Sequence, residues 1–143
     1  MYERILLPTD GSDAADRAIE QALNLAKTYD ARLYVISIVD QTAIPPDVRA
    51  DILYEELQED GEQAVDDIEQ KASDAGIDVR TSIPQGTPYR TILDFADDHD
   101  VDLIVMGTHG RRGIDRYLLG SVTEKVVRLS ERPVLTVRMD EPS

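Results

Sequence analysis

The 143-residue chain has no cysteine and no tryptophan, a single phenylalanine and two histidines. The lack of cysteine excludes a disulfide framework, a thiol nucleophile and cysteine metal sites together. His99 and His109 are too few for a histidine-rich metal centre. No apolar run approaches the roughly 18 residues that a membrane-spanning helix needs. Basic residues are also scarce: 15 Lys plus Arg face 29 Asp plus Glu, for a formal charge of −14 and a pI near 4.4. That balance repels phosphate backbones and anionic membranes at long range, so neither nucleic acid nor a membrane is an expected partner. Met1 to Pro8 lacks a basic region followed by a long apolar stretch, so no export signal is expected and the cytoplasm is the default location.

What is present describes a globular protein. The chain is 41% hydrophobic with Gly 8 and Pro 7, and about 150 residues can bury roughly 70% of their unfolded surface in one domain. Its acidity has a particular composition: 19 Asp against 10 Glu, and 12 Arg against three Lys. An Asp-rich, Lys-poor surface resembles that of halophile cytoplasmic proteins, in which strong salt screens self-repulsion.

Five apolar runs alternate with four helical segments. Ile5-Leu6-Leu7 is short and continuously apolar, as in a strand buried on both faces. Asp10 to Asp13 opens a helix with Ala15, Ala18, Ile19, Ala22, Leu25 and Ala26 at three- and four-residue spacing. Leu33 to Val39 reads as a second buried strand, and Asp40 to Asp47, with Pro45-Pro46, as a loop. An acidic segment from Val48 to Ala75 places Ile52, Leu57, Ala64, Ile68 and Ala72 toward one side; Gly61 marks a bend or break, and Gly76 a C-cap. Val79, Thr81 and Ile83 alternate as a less buried strand. Thr87-Pro88 starts a third helix, Leu103 to Met106 forms a fourth strand, a helix lies near Ser121 to Ser130, and Pro133 to Val137 is the fifth strand. Such alternation predicts one α/β domain over 1–139, with a mostly parallel sheet, helices on both faces, and a frayed tail at 140–143.

Ligands of such sheets bind beyond the carboxyl ends of the strands, where strand order reverses. Two places match. Gly107 and Gly110 follow the fourth strand, and Gly120-Ser121 follows Gly110 after nine intervening residues to open a helix, with Ser121 to Glu124 fitting a capping box. Glycines let backbone approach a ligand, and the helix N-terminus offers unpaired N–H groups, which together describe an anion site. The Gly-Lys-Ser/Thr ending of a P-loop is missing. The bland alternative is a glycine loop before a well-capped helix. The second place is Pro8-Thr9-Asp10: the Asp10 carboxylate either caps the helix or accepts from a ribose hydroxyl or adenine amino group.

Gly107-x-x-Gly110, nine residues, Gly120-Ser121 resembles the nucleotide-binding signature of the universal stress protein family. The likeness covers nearly the whole chain: Ile5 to Asp10 is similar to the family's opening strand and turn, Asp102 to Gly110 to its fourth strand and loop, and Arg132 to Val137 to its last strand. The resemblance implies a Rossmann-like five-stranded parallel sheet of order 3-2-1-4-5. It further implies ATP with Mg²⁺ or Mn²⁺, adenosine held by Pro8, Thr9, Asp10 and the backbone of Ile38, and ribose lined by Met106 and Gly107. Phosphates would meet Gly110, Gly120, Ser121 and Val122. A homodimer through antiparallel pairing of Val134 to Val137 is implied as well.

Other residues are weaker candidates. His109 either touches a phosphate or is a locally bonded loop residue. Arg111, Arg112 and Arg116 either clamp a polyphosphate tail or are solvated. The cluster from Asp94 to Asp102 reads as a solvated face, and Tyr34, Tyr54, Tyr89 and Tyr117 are too scattered for a stacking platform. No general base is evident beside the expected phosphates, which favours a nucleotide-binding regulatory module over a slow ATPase or a scaffold with a structural nucleotide. Residues 1–106 carry eight basic and 24 acidic residues, whereas 107–138 carry seven basic and three acidic. The overall acidity therefore leaves room for a local anion site in the segment that holds the glycines.

Overall fold

The computed structural model describes residues 2–11, 16–40, 50–108 and 120–138. Strands and helices alternate through them as β1 (Arg4–Pro8), α1 (Asp16–Tyr29), β2 (Arg32–Ile36), α2 (Ala50–Asp74), β3 (Val79–Ser82), α3 (Pro88–Asp98), β4 (Leu103–Gly107), α4 (Ser121–Leu129) and β5 (Val134–Val137). The five strands are parallel, in the order β3-β2-β1-β4-β5. Right-handed crossovers explain the layers. The chain moves outward from β1 through β2 to β3, then returns to the other side of β1, so α1 and α2 lie on one face and α3 and α4 on the other.

Period-two alternation divides the core accordingly. Ile5, Leu7, Leu33, Val35 and Val105 pack with α1 and α2 residues, whereas Leu6, Tyr34, Ile36, Ile104 and Met106 join the cluster of α3 and α4. Ile5, Leu6, Leu7, Leu33 and Ile104 are fully buried, each worth about 1.5–3 kcal/mol relative to exposure. The edge strands β3 and β5 are only half-buried.

Polar ties fix the opposite end of the sheet from the expected site. The Asp102 carboxylate accepts from the backbone N–H groups of Glu3 and Arg4 at 2.8 and 2.9 Å, joining the start of β1 to the start of β4. Arg132 donates from Nε to the Val101 carbonyl at 2.6 Å and pairs with Asp97, holding the approach to β5 against the end of α3. Two members of the Asp94-to-Asp102 cluster are thus structural partners instead of a purely solvated face.

Three expectations need correction. The second strand stops at Ile36, and Val39 makes only an isolated bridge with Gln85. Gly61 neither bends nor breaks α2, which is one helix of 25 residues. It begins the buried series Gly61, Val65, Ile68 and Ala72, where a Cβ would lie 3.1 Å from Ile83 Cγ2 and 3.2 Å from Ser37 Oγ. Glycine there lets the helix approach the sheet. Ile52 does not face the core but is 46% exposed. A helix of this length spans about 37 Å and overhangs strands of about 15 Å, which leaves its first turns without sheet beneath them. Gly76, with φ of +76°, ends the helix as expected.

At the β3 edge, Arg32 Nε donates to Asp78 Oδ2 at 2.9 Å and Arg80 lies 3.6 Å from the other carboxylate oxygen. The hydrogen bond from Arg32, reinforced by the charge of Arg80, holds the Asp78 carboxyl below the usual range. A depressed folded value gives stability that is complete above the unfolded value near 3.9 and is lost as pH falls through the folded one. Asp78→Asn should lower Tm slightly at pH 7, with the gap to wild type closing below about pH 4 in thermal melts across pH.

Candidate functional site

Backbone pairing shows where the sheet opens. β1 stays paired with β2 along its whole length, ending Pro8 against Ile36, and the Thr9 N–H continues the ladder to the Ile36 carbonyl at 2.9 Å. β4 stays paired with β5 to its last residue, Gly107 against Val137, and the Thr108 N–H donates to the Val137 carbonyl at 3.0 Å. Between β1 and β4, however, the register holds only Ile5 with Leu103 and Leu6 with Ile104. The central strands therefore part toward their carboxyl ends, leaving a crevice with Pro8, Thr9 and Asp10 on one lip and Met106, Gly107 and Thr108 on the other.

The parting follows from topology. A connection leaving β1 for β2 and one leaving β4 for β5 run in opposite directions, so nothing bridges the gap between them.

The first turn of α4 is fastened to the β4 lip. Gly120 N–H donates to the Thr108 carbonyl at 2.6 Å, and the Thr123 hydroxyl donates to the Gly107 carbonyl at 2.9 Å. Gly120, not Ser121, is the N-cap residue, and no side chain caps the turn. The expected capping box does not form, because the cap falls on Gly120, whose carbonyl accepts from the Glu124 N–H, and Ser121 already lies inside the helix. The consequence suits an anion: the N–H groups of Ser121 and Val122 have no capping side chain, and they sit at the positive end of the helix dipole.

Glycine torsions separate two uses of the residue. Gly11 has φ of +78°, which ordinary residues avoid, so glycine there serves the turn in which its N–H donates to Thr9 Oγ1 at 3.1 Å. Gly120 has φ of −62° and ψ of 156°, open to any residue. What glycine provides at that point is the absence of a side chain at the helix terminus.

Burial marks the same edge. The buried polar residues among those described are Thr9, Ser37, Thr108 and Thr123. The first three directly follow or nearly follow the ends of β1, β2 and β4, and the fourth lies in the first turn of α4. Hydroxyl groups concentrate where the sheet opens, within a core that is otherwise apolar. Ser37, Thr108 and Thr123 are absent from the residues singled out by motif. The signal for the first two was a hydroxyl residue directly after an apolar strand.

The second strand's end is braced from outside. Ser37 N–H donates to Ser82 at 3.1 Å, Val39 N–H to Pro84 at 2.9 Å, and Gly86 N–H to Val39 at 3.0 Å. These bonds hold the half-buried Ile38 between them, two residues beyond β2. Of the expected site residues, Pro8, Thr9, Asp10, Ile38, Met106, Gly107, Gly120, Ser121 and Val122 all lie at the carboxyl edge of the sheet. His109, Gly110, Arg111 and Arg112 lie outside the described residues. Among the described residues no group of three acidic or histidine side chains could hold a metal ion, and no helix is long and apolar enough to cross a membrane.

The chain matches the universal stress protein family model over residues 1–138. It is 38% identical over 141 residues to universal stress protein MJ0531 of Methanocaldococcus jannaschii, covering 96% of this chain and 83% of that one. A universal stress protein solved in complex with cAMP has a TM-score of 0.72 and 28% identity, covering 97% of this chain and 98% of that one. One from Archaeoglobus fulgidus, solved in complex with dAMP, has a TM-score of 0.67 and 25% identity, covering 96% and 98%. With the strand order, the crevice and the glycine spacing all in agreement, the chain belongs to the universal stress protein family.

Proposed function

We propose that this protein binds an adenine nucleotide, ATP with Mg²⁺ or Mn²⁺, in the crevice between β1 and β4. It would act there as a homodimeric, cytoplasmic regulatory module without fast catalysis. The observation that carries the reading is the parting of β1 from β4 beside an α4 terminus whose first N–H groups no side chain caps. Two related structures hold cAMP and dAMP, which share adenine, a sugar and one phosphate.

In this reading the main chain of Ile38 and the Pro8-Thr9-Asp10 turn meet adenosine, and Met106 with Gly107 lines the ribose. Gly120 admits the phosphates to the N–H groups of Ser121 and Val122, where aligned donors and the helix dipole favour negative charge. Gly110, His109, Arg111 and Arg112 complete the phosphate side. A divalent cation would be held chiefly by the nucleotide's own oxygens, supplying charge neutralisation. Occupancy by ATP or ADP, with different charge at the α4 terminus, then shifts the conformations available to a protein partner.

Titration calorimetry of the full chain with ATP, ADP, AMP and cAMP tests the site. Gly120→Val should weaken ATP binding at least tenfold, about 1.4 kcal/mol, with the fold kept, because the Gly120 torsions suit valine, and Tm lowered by a few degrees from the poorer N-cap. Unaltered affinity would place the nucleotide elsewhere, and sustained phosphate release far above the uncatalysed rate would favour the slow ATPase.

The dimer rests on β5. Among the described residues this strand pairs only with β4, and Leu135 on it and Val127 and Leu129 on the adjoining α4 are exposed. An unpaired apolar edge favours a second copy. Sedimentation at micromolar concentration should give a dimer, and Leu135→Lys should move it toward monomer.

Salt adaptation is the reading of the Asp-rich, Lys-poor composition. Molar KCl should raise Tm by several degrees over dilute buffer, because screening relieves self-repulsion; equal stability in both would remove it.

A further inference from the structure

A second concavity lies on the α3 side of the sheet, away from the crevice. Its volume is about 360 Å³, and it is lined by residues that include Arg32, Tyr34, Arg80, Ser82, Phe95 and His99. Arg32 is the first residue of β2, at the amino end of the sheet, and Tyr34 is in register with Arg80 on β3. The helices α3 and α4 close over the middle of the sheet on this face, with Leu6, Ile104 and Met106 beneath them, and the outer strand β3 borders the opening.

One wall is aromatic. Phe95 and His99 stack with centroids 3.9 Å apart and planes 15° from parallel. Tyr34 meets both rings, at 5.6 and 5.1 Å. His99 Nδ1 lies 3.0 Å from the Phe95 carbonyl, which can only accept, so Nδ1 carries the proton of this bond and Nε2 remains for another partner.

The other wall carries charge of unusual sign for this chain. Residues 1–106 hold eight basic side chains against 24 acidic ones, yet two of the eight, Arg32 and Arg80, meet at this wall. Asp78 pairs with both. One carboxylate against two guanidiniums leaves an excess of one positive charge. Arg32 donates from Nε to Asp78 and also hydrogen-bonds the Tyr34 side chain, which uses part of its five-donor fork, and Arg80 is 58% exposed. An aromatic wall, with Tyr34 inclined 73° to Phe95 and 58° to His99, opposite forked donors with one unit of excess charge is complementary to a planar ring bearing a single carboxylate.

We propose that this cavity is a second ligand site, separate from the nucleotide crevice, that takes an aromatic monocarboxylate. The carboxylate bonds to the guanidinium groups of Arg32 and Arg80, and the ring lies against Tyr34, Phe95 and His99. A dianion is disfavoured, because the local excess is one charge within a chain of −14.

The test is an ¹H–¹⁵N NMR titration of the full chain with benzoate, acetate and phenyl phosphate in parallel. Benzoate should give saturable shifts in the amides of residues 32–34, 80–82 and 95–99, with at least tenfold weaker binding for acetate, which lacks the ring. Arg80→Ala, at a side chain exposed enough to leave the fold intact, should weaken benzoate at least tenfold while the remaining spectrum is preserved; Arg80→Lys should recover part of the affinity. Shifts that never saturate, equal response to acetate, tighter binding of phenyl phosphate, or an unaffected Arg80→Ala variant would each overturn the proposal. So would shifts confined to residues 8–10, 107–108 and 120–122. None of these outcomes depends on whether the crevice binds ATP.

Discussion

β1 is bonded on both sides by parallel strands whose continuing chains leave it in opposite directions. The backbone hydrogen bonds of Ile5 and Leu6 are shared with β2 and β4 alike, but beyond Leu6 the ladder to β4 ends while the ladder to β2 continues to Thr9. The amino ends of β1 and β4 are pinned by the Asp102 carboxylate on the N–H groups of Glu3 and Arg4. Closed at one end and released at the other, the two central strands form a wedge. The turn after β1, the glycine after β4 and the terminus of α4 all owe their positions to that wedge.

Hydroxyl groups follow from the same constraint. An opening at strand ends exposes backbone donors and acceptors to a region the core surrounds, and unsatisfied polar groups there are costly. Each lip is secured within itself: the Thr9 hydroxyl accepts from the turn at Gly11, the Thr108 main chain bonds Val137 and Gly120, and the Thr123 hydroxyl donates to Gly107. The lips are therefore held in place by hydrogen bonds of their own. What remains for a ligand is the first turn of α4, whose donors no side chain caps.

Charge is distributed by region. α2 exposes a dense series of carboxylates, whereas the segment after β4 is net positive, and a second local excess occurs where Arg32 and Arg80 share Asp78. In a strongly acidic protein such islands define where anions can approach, because the surrounding field excludes them elsewhere.

The strands, their order of burial and most helices were legible in the sequence because each depends on neighbours close along the chain. Continuous apolar runs at Ile5, Leu33 and Leu103, glycine at Gly76 and proline after Thr87 act through local backbone and side-chain physics. The turn after β1 and the glycine after β4 likewise pointed to the edge at which the sheet opens. Other features depended on contacts between distant residues. Gly61 reads locally as a helix breaker, and only the approach of Ser37 and Ile83 turns it into a packing residue. The motif Ser121 to Glu124 reads as a capping box, whereas in the fold the Gly120 N–H and the Thr123 hydroxyl are tied to the carbonyls of Thr108 and Gly107, and the cap falls on Gly120. Asp102 looks like one more surface carboxylate until the sheet brings Glu3 and Arg4 to it across nearly 100 residues. Tyr34, Phe95 and His99 form a single wall only because β2 and α3 meet. Sequence determined the elements, the parallel sheet and the place of the crevice, since periodicity and turn chemistry are local. Tertiary structure decided how far the central strands part and which hydroxyls line the opening, because those depend on pairings that no local pattern encodes.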